Sequence, residues 1–148
     1  MSMSRHLIEV LVPVPVLEKF SYKLPKEYQQ QILEPGVRVK VPFGTRTLVG
    51  IFWKYSDGSN SNERRYKYIN EVLDEGSFLD QDLLSLADWS SRYYHYPLGE
   101  VLTYFFPPSL RKGKQAKFKE TVFWNLTRQG DFIDVSSLNR APNQKKAI

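Results

Sequence analysis

Between residues 6 and 73 the apolar positions of this chain recur mostly at every second residue; from residue 79 they recur at three and four. A period of two sets one face of a strand against a core, and a period near 3.6 does the same for a helix. Residues 6–16 (HLIEVLVPVPV) are rich in Val, Leu and Ile and read as a strand. Pro13 and Pro15 remove two ladder donors on one side, so this segment is expected to be an edge strand or to leave the sheet there. Phe20, Tyr22 and Leu24 alternate with Ser21 and Lys23 in a half-buried strand that Pro25 ends. Glu34-Pro35-Gly36 carries proline and glycine where a type II turn needs them. Beyond it Val37, Val39 and Val41 are expected inward and Arg38 and Lys40 outward. Residues 47–55 make the next strand, 56–62 a polar loop, and 68–73 a last short strand.

Asp80 can cap a helix that begins near Gln81. Its apolar stripe takes Leu79, Leu83, Leu86, Ala87, Ser90 and Tyr93 or Tyr94, and Pro97 and Gly99 end it near Tyr96. A further helical turn over 100–106 stops at Pro107 and Pro108. Strands followed by one main helix predict an α+β fold, mainly β: a small curled sheet or open barrel packed on that helix. Residues 1–110 read as one domain and the basic stretch 111–117 as a linker. Residues 118–148 read as the truncated start of a second domain, with a strand candidate at 121–126 and a helix opening near Pro142.

Composition narrows the function classes. With 41% apolar and 14% aromatic residues the chain can bury a core and is not of disordered type. It has no long apolar run, so no transmembrane helix is expected, and Glu9 and two prolines break its apolar start, which is no secretory signal. The absence of cysteine excludes disulfides and thiolate metal sites and suits a reducing cytoplasm. The net charge of +5 is unevenly spread. Residues 38–68 hold seven basic side chains against two acidic, residues 71–100 one against seven, and residues 101–148 nine against three. A polyanion would meet the first and third of these blocks.

Catalysis has little to stand on. Of the two histidines, His95 lies in the run Tyr93-Tyr94-His95-Tyr96, which reads as a helix end packed on the sheet. No phosphate-cradling glycine loop, no nucleophile elbow and no metal-ligand spacing occurs, so neither a catalytic nor a metal site is expected. Nucleic acid fits better. Phe20, Tyr22, Phe43, Tyr66 and Tyr68 are interleaved with Lys19, Lys23, Lys40, Arg46, Arg64, Arg65 and Lys67. Aromatic faces for bases beside cations for phosphates is how single strands are held. The same alternation also serves a core, and at least one of Phe20 and Tyr22, which share a face, is expected there. Pro42-Phe43-Gly44-Thr45-Arg46 joins two apolar strands through a turn that has no need of a large aromatic, while its glycine lets another chain or a ligand come close.

Several of these pieces form a set. Phe20-Ser21-Tyr22 before Leu24-Pro25, the run from Pro35 to Gly44, Val49-Gly50-Ile51, Lys67 ahead of Glu71-Val72-Leu73-Asp74, and Tyr93-Tyr94-His95-Tyr96-Pro97-Leu98-Gly99-Glu100 are collinear over residues 7–112. Together they resemble the N-terminal DNA-binding region of the primosomal replication-restart helicase family (primosomal protein N′, PriA). The resemblance implies a domain that holds the 3′-hydroxyl end of the nascent leading strand, or of single-stranded DNA, at stalled forks. It also implies a winged helix beginning near residue 118. ATP, Mg and Zn would belong to helicase parts that this chain lacks, so this part is not itself an enzyme and has no cofactor of its own. Partners implied are forked or single-stranded DNA and, through the parent protein, other primosome proteins and single-stranded DNA-binding protein, in the cytoplasm at the nucleoid and with no membrane. The family's pocket maps onto Phe20, Ser21, Tyr22, Gly44 and Lys67, with Arg46 added by its place in the turn. Glycine would admit the terminal sugar, Lys67 would meet the last phosphate, and the aromatic strand would wall the base. The family often has an acidic residue where this chain has Ser21, which predicts weaker holding or a different base preference. The reading from another class is a protein-interaction module, in which the sheet and the aromatics at 93–96 dock another domain or a replication partner.

Overall fold

The computed structural model describes residues 6–56, 65–117, 120–123, 125, 128, 132 and 134. Strands β1 (Leu7–Leu11), β2 (Phe20–Lys23), β3 (Arg38–Phe43), β4 (Arg46–Tyr55) and β5 (Glu71–Val72) form one antiparallel sheet in the order β2-β1-β4-β3-β5. It curls around an interior core that includes Ile8, Val10, Val39, Val41, Phe52 and Ile69, the inward members of each alternating pair. The sheet is open: the expected last strand shrinks to Glu71–Val72, and the chain just before it touches β2 through a single parallel bridge, Lys23 to Tyr68.

β1 is paired on both sides, to β2 and to β4, and so is no edge strand. The chain instead leaves the sheet after Leu11. The N–H groups of Val14 and Val16 donate to the carbonyls of Val12 and Val14, each at 2.8 Å. These are three-residue turns centred on Pro13 and Pro15, whose fixed φ suits them. The turn at Glu34 is as expected, with Gly36 at φ +99° and the Val37 N–H donating to the Glu34 carbonyl.

Three helices follow: α1 (Gln81–Tyr94), α2 (Leu98–Tyr104) and α3 (Pro108–Arg111). Asp80 Oδ1 accepts from the Leu83 N–H at 2.8 Å, the expected cap, worth about 1 kcal/mol. The inward face differs from the expected stripe. Leu84 and Ala87 are buried with Leu79, whereas Leu86, Trp89, Tyr93 and Tyr94 are exposed, and Trp89 stacks on Tyr93 with ring centroids 5.1 Å apart. The expectation of one main helix on the sheet was incomplete: Leu84 and Ala87 of α1 share a buried cluster with Leu11 and Ile51 of the sheet, but α2 packs both on β4 and on α1 and helps set which face of α1 is buried. α2 comes so close that a Cβ on Gly99 would stand 2.1 Å from the Val12 carbonyl oxygen, which is why a glycine follows Leu98.

The largest departure from alternation is Arg38. It is outward on the sheet, but only 1% exposed. Its Nε and Nη2 grip both oxygens of Asp74 at 2.8 and 2.5 Å, and its Nη1 donates to the carbonyls of Leu110 and Lys114. Phe78 and Phe106 place their rings within 6 Å of the guanidinium. Helices and the chain beyond them cover this face, so the basic stretch after Leu110, expected to be loose, is tied down as far as Lys114. Among the described residues no helix is long and apolar enough to cross a membrane.

The chain divides into two compact units, residues Met1–Ala116 and Lys117–Ile148. In the second, residues 121–123 are described and lie in no strand. The other residues of the expected winged-helix start that bear on that assignment, including the helix near Pro142, lie outside those described, as does most of the loop at 56–62.

Candidate nucleic-acid interface

The site is built on the edge of β2. Its register with β1 sets Ile8 opposite Tyr22 and Glu9 opposite Ser21, and the Leu24 N–H donates to the His6 carbonyl at 2.8 Å. Antiparallel pairs alternate, so Phe20, Tyr22 and Leu24 turn their backbone groups toward β1, and Ser21 and Lys23 turn theirs to the outer edge. There the Lys23 N–H donates to the Lys67 carbonyl at 2.8 Å and its own carbonyl accepts from the Ile69 N–H at 3.0 Å. The ladder goes no further. Ser21, partly exposed, has no backbone partner on this side among the described residues.

The reason lies across the gap, in Pro42. β5 pairs with β3 at Val39 and Lys40, and the last bond of that seam runs from the Asn70 N–H to the Lys40 carbonyl. Pro42, next along β3 on that side, has no N–H to offer, so the pairing ends and the chain before β5 crosses to β2 instead. The result is a mouth in the curled sheet between β2 and the β3–β4 hairpin. Across it the Tyr22 hydroxyl donates to the Pro42 carbonyl at 3.2 Å.

Phe43 is the last residue of β3 and stands edge-on to Phe20, ring centroids 5.1 Å apart, on the rim of the interior core. That explains a large aromatic beside a turn. Phe43 pairs with Arg46, leaving Gly44 and Thr45 as a two-residue loop. Gly44 has φ +58° and Thr45 does not share the positive φ, the pattern of a type II′ hairpin. A Cβ on Gly44 would meet nothing within 4 Å, so the space above its backbone is open. Arg46 is exposed at the start of β4. Lys67 is exposed and is placed by its carbonyl bond to Lys23.

Phe20, Ser21 and Tyr22 on β2 therefore lie next to the hairpin that carries Gly44, with the Lys67 backbone bonded to Lys23, and two expectations change. Tyr22 is only 5% exposed and belongs to the core; burial pushes its phenol above the usual range. Its ring face is not on offer to a base, and the available apolar wall is the Phe20–Phe43 pair. Lys40 is also withdrawn, held by Glu71 at 2.6 Å. Arg64 lies outside the described residues. One residue escaped notice in the sequence: Glu9, cross-strand from Ser21 in a pair whose side chains approach closely, and 3.6 Å from Lys54. The signal was present, since Glu9 is the one charged side chain in residues 6–16.

A family model described as the 3′DNA-binding domain (3′BD) of PriA matches residues 9–107. The chain belongs to this family. The matched span of the 3′DNA-binding domain takes in the whole mouth, from Glu9 through the hairpin to Lys67, and reaches past α2. The replication restart protein PriA of Haemophilus influenzae is 31% identical over 143 residues, covering 96% of this chain and 19% of that protein. Its namesake in Buchnera aphidicola subsp. Acyrthosiphon pisum is 25% identical over 138 residues (93% and 19%), and that of Treponema pallidum is 30% identical over 115 (75% and 17%). The chain thus spans about 19% of the length of the first two of these relatives.

Proposed function

We propose that this chain holds the 3′-hydroxyl end of single-stranded DNA, such as the nascent leading strand at a stalled fork, in the mouth between β2 and the β3–β4 hairpin. The observation that carries this reading is the backbone of Ser21, a donor and an acceptor turned to the outer edge of β2 with no backbone partner there among the described residues, together with the open space above Gly44 on the hairpin. A terminal sugar brings a hydroxyl that both donates and accepts, and it must come close to main chain to use both. Gly44 permits the approach, Lys67 supplies a charge for the last phosphate, and Phe20 with Phe43 walls the base. On the opposite face of β2 from Phe20, Ser21 Oγ and the nearby Glu9 carboxylate supply acceptors for polar groups that reach over the edge. The longer protein would be an ATP-driven restart helicase of the cytoplasm, working with other primosome proteins and single-stranded DNA-binding protein, with ATP, Mg and Zn held in parts outside this chain.

The test is fluorescence polarisation with one oligonucleotide carrying either a free 3′-hydroxyl or a 3′-phosphate. A clear loss with the phosphate is expected; equal binding would reduce the surface to general electrostatics. Gly44→Asn is the sharper variant. Asparagine takes positive φ more readily than other side chains, so it fills the open space at a smaller strain than a β-branched residue would. Discrimination should vanish while the melting temperature falls only modestly and the fold is kept.

A docking role rests on a different face. Leu86, Trp89, Tyr93 and Tyr94 form an uncovered apolar cluster on α1. Its occupant would be the remainder of the longer polypeptide, and Trp89→Ser should then leave DNA affinity unchanged.

A further inference from the structure

We propose a second single-strand subsite on the outer side of the same seam, where Tyr68 stacks a base that precedes the terminal one and Lys23 and Lys26 take its phosphates. The proposal rests on the 3′-end reading of the mouth, but its evidence is separate. An open cleft of about 270 Å³ is lined by His6, Lys23, Lys26, Gln29 and Tyr68, and no acidic residue lines it. Tyr68 is 56% exposed, and the Lys23 ammonium lies 5.6 Å from its ring centroid. Ring and cation together are what a nucleotide recognises; an acidic peptide would need only the charge. Among the described residues Lys23 and Lys26 take part in no ion pair, in contrast to Arg38, Lys40, Lys54 and Arg92.

The walls are fixed in advance. The Leu24 N–H is bonded to the His6 carbonyl, the Gln29 amide donates to the Leu24 carbonyl at 2.8 Å, and Lys23 is bonded through both backbone groups to the chain around Tyr68. Strand alternation puts Lys23 on the face opposite Tyr22, and puts Tyr68 opposite the buried Ile69. The cleft is also close to the mouth. Lys23 lies two residues from Ser21, about 7 Å along a strand, and Tyr68 adjoins Lys67. A strand whose end sits beside Ser21 crosses the open edge of β2 and meets this cleft within a nucleotide or two.

The experiment uses the whole chain and 5′-labelled octathymidylate, with free 3′-hydroxyl and with 3′-phosphate. Tyr68→Ala should lower affinity roughly 5- to 100-fold on both oligonucleotides by the same factor. Gly44→Asn, by contrast, removes only the difference between them. Tyr68→Phe should bind as the parent does, and Tyr68→Leu, which keeps apolar bulk and so guards against a folding effect, should behave as Tyr68→Ala. Lys23→Gln with Lys26→Gln should reduce the slope of log affinity against log salt by about 1.4. Parental affinity in both Tyr68→Ala and Tyr68→Leu would overturn the subsite. If the parent ignores the 3′-phosphate while Tyr68→Ala still binds weakly, the end-binding reading falls and the subsite stands.

Discussion

Two cationic regions lie on the outer surface of this one sheet, and they are built to opposite rules. At β3, Arg38 is surrounded: two carboxylate oxygens of Asp74, two backbone carbonyls and two aromatic rings take up its guanidinium, and it is almost wholly out of water. At β2, Lys23, Lys26 and Lys67 stand where the sheet is open and make no ion pair among the described residues. A buried charge must have every donor met, or it costs more than it returns. An exposed cation costs little to leave free and is then available to a phosphate. Arg38 is therefore architecture, tying the chain at Leu110 and Lys114 to the sheet, and the lysines are left available to a ligand.

The strongest way to break that contrast is Arg38→Ala. It strands Asp74, only 3% exposed, and should cost about 3–5 kcal/mol. The thermal midpoint should fall by at least about 10 °C. A variant of unchanged midpoint that had lost DNA affinity would put Arg38 on the interface side. Lys67→Ala should do the reverse. Stability should stay within about 0.5 kcal/mol, while binding at low salt weakens alike for every base and the salt slope falls by about 0.7. A lowered midpoint with an unchanged slope would make Lys67 structural. The smallest effect belongs to Tyr22, which sits between the regions. Burial raises its folded pKa above the unfolded value of 10.0. Its contribution to stability is therefore complete below pH 10 and is lost as pH rises through the folded value. Tyr22→Phe should flatten the alkaline end of a stability profile taken by denaturant titration.

Much of the sheet was legible because its signals are local. The valines of β3, the Glu34 turn and the Asp80 cap each follow from a few neighbouring residues, and the structure has all three. Where the reading failed, a distant element had decided the outcome. Leu86 and Tyr93 fit the helical period, yet they face solvent because α2 occupies the other side of α1. Arg38 alternates outward as expected, but a chain more than seventy residues later closes over it. Of the candidate site, Phe20, Ser21, Tyr22, Gly44 and Lys67 were read from resemblance; the structure sets Phe20 against Phe43, next to Gly44, and bonds the Lys67 carbonyl to Lys23, two residues from Ser21. That Tyr22 gives its hydroxyl and not its ring, and that Glu9 joins Ser21, depends on strand register, which no single segment encodes.

Alternation, turn residues and charge blocks, read from the sequence alone, determined that β strands precede helices, where Pro13, Pro15 and Pro25 interrupt the strands, and that aromatic and basic residues mix near Gly44. Such features depend on contacts between near neighbours, whose geometry the backbone dictates. Only the tertiary structure decided which cations are sealed and which are free, and where the sheet fails to close. Those outcomes turn on a missing donor at Pro42 and on an edge at Ser21 that has no backbone partner among the described residues, two groups that matter to each other only once the sheet has curled.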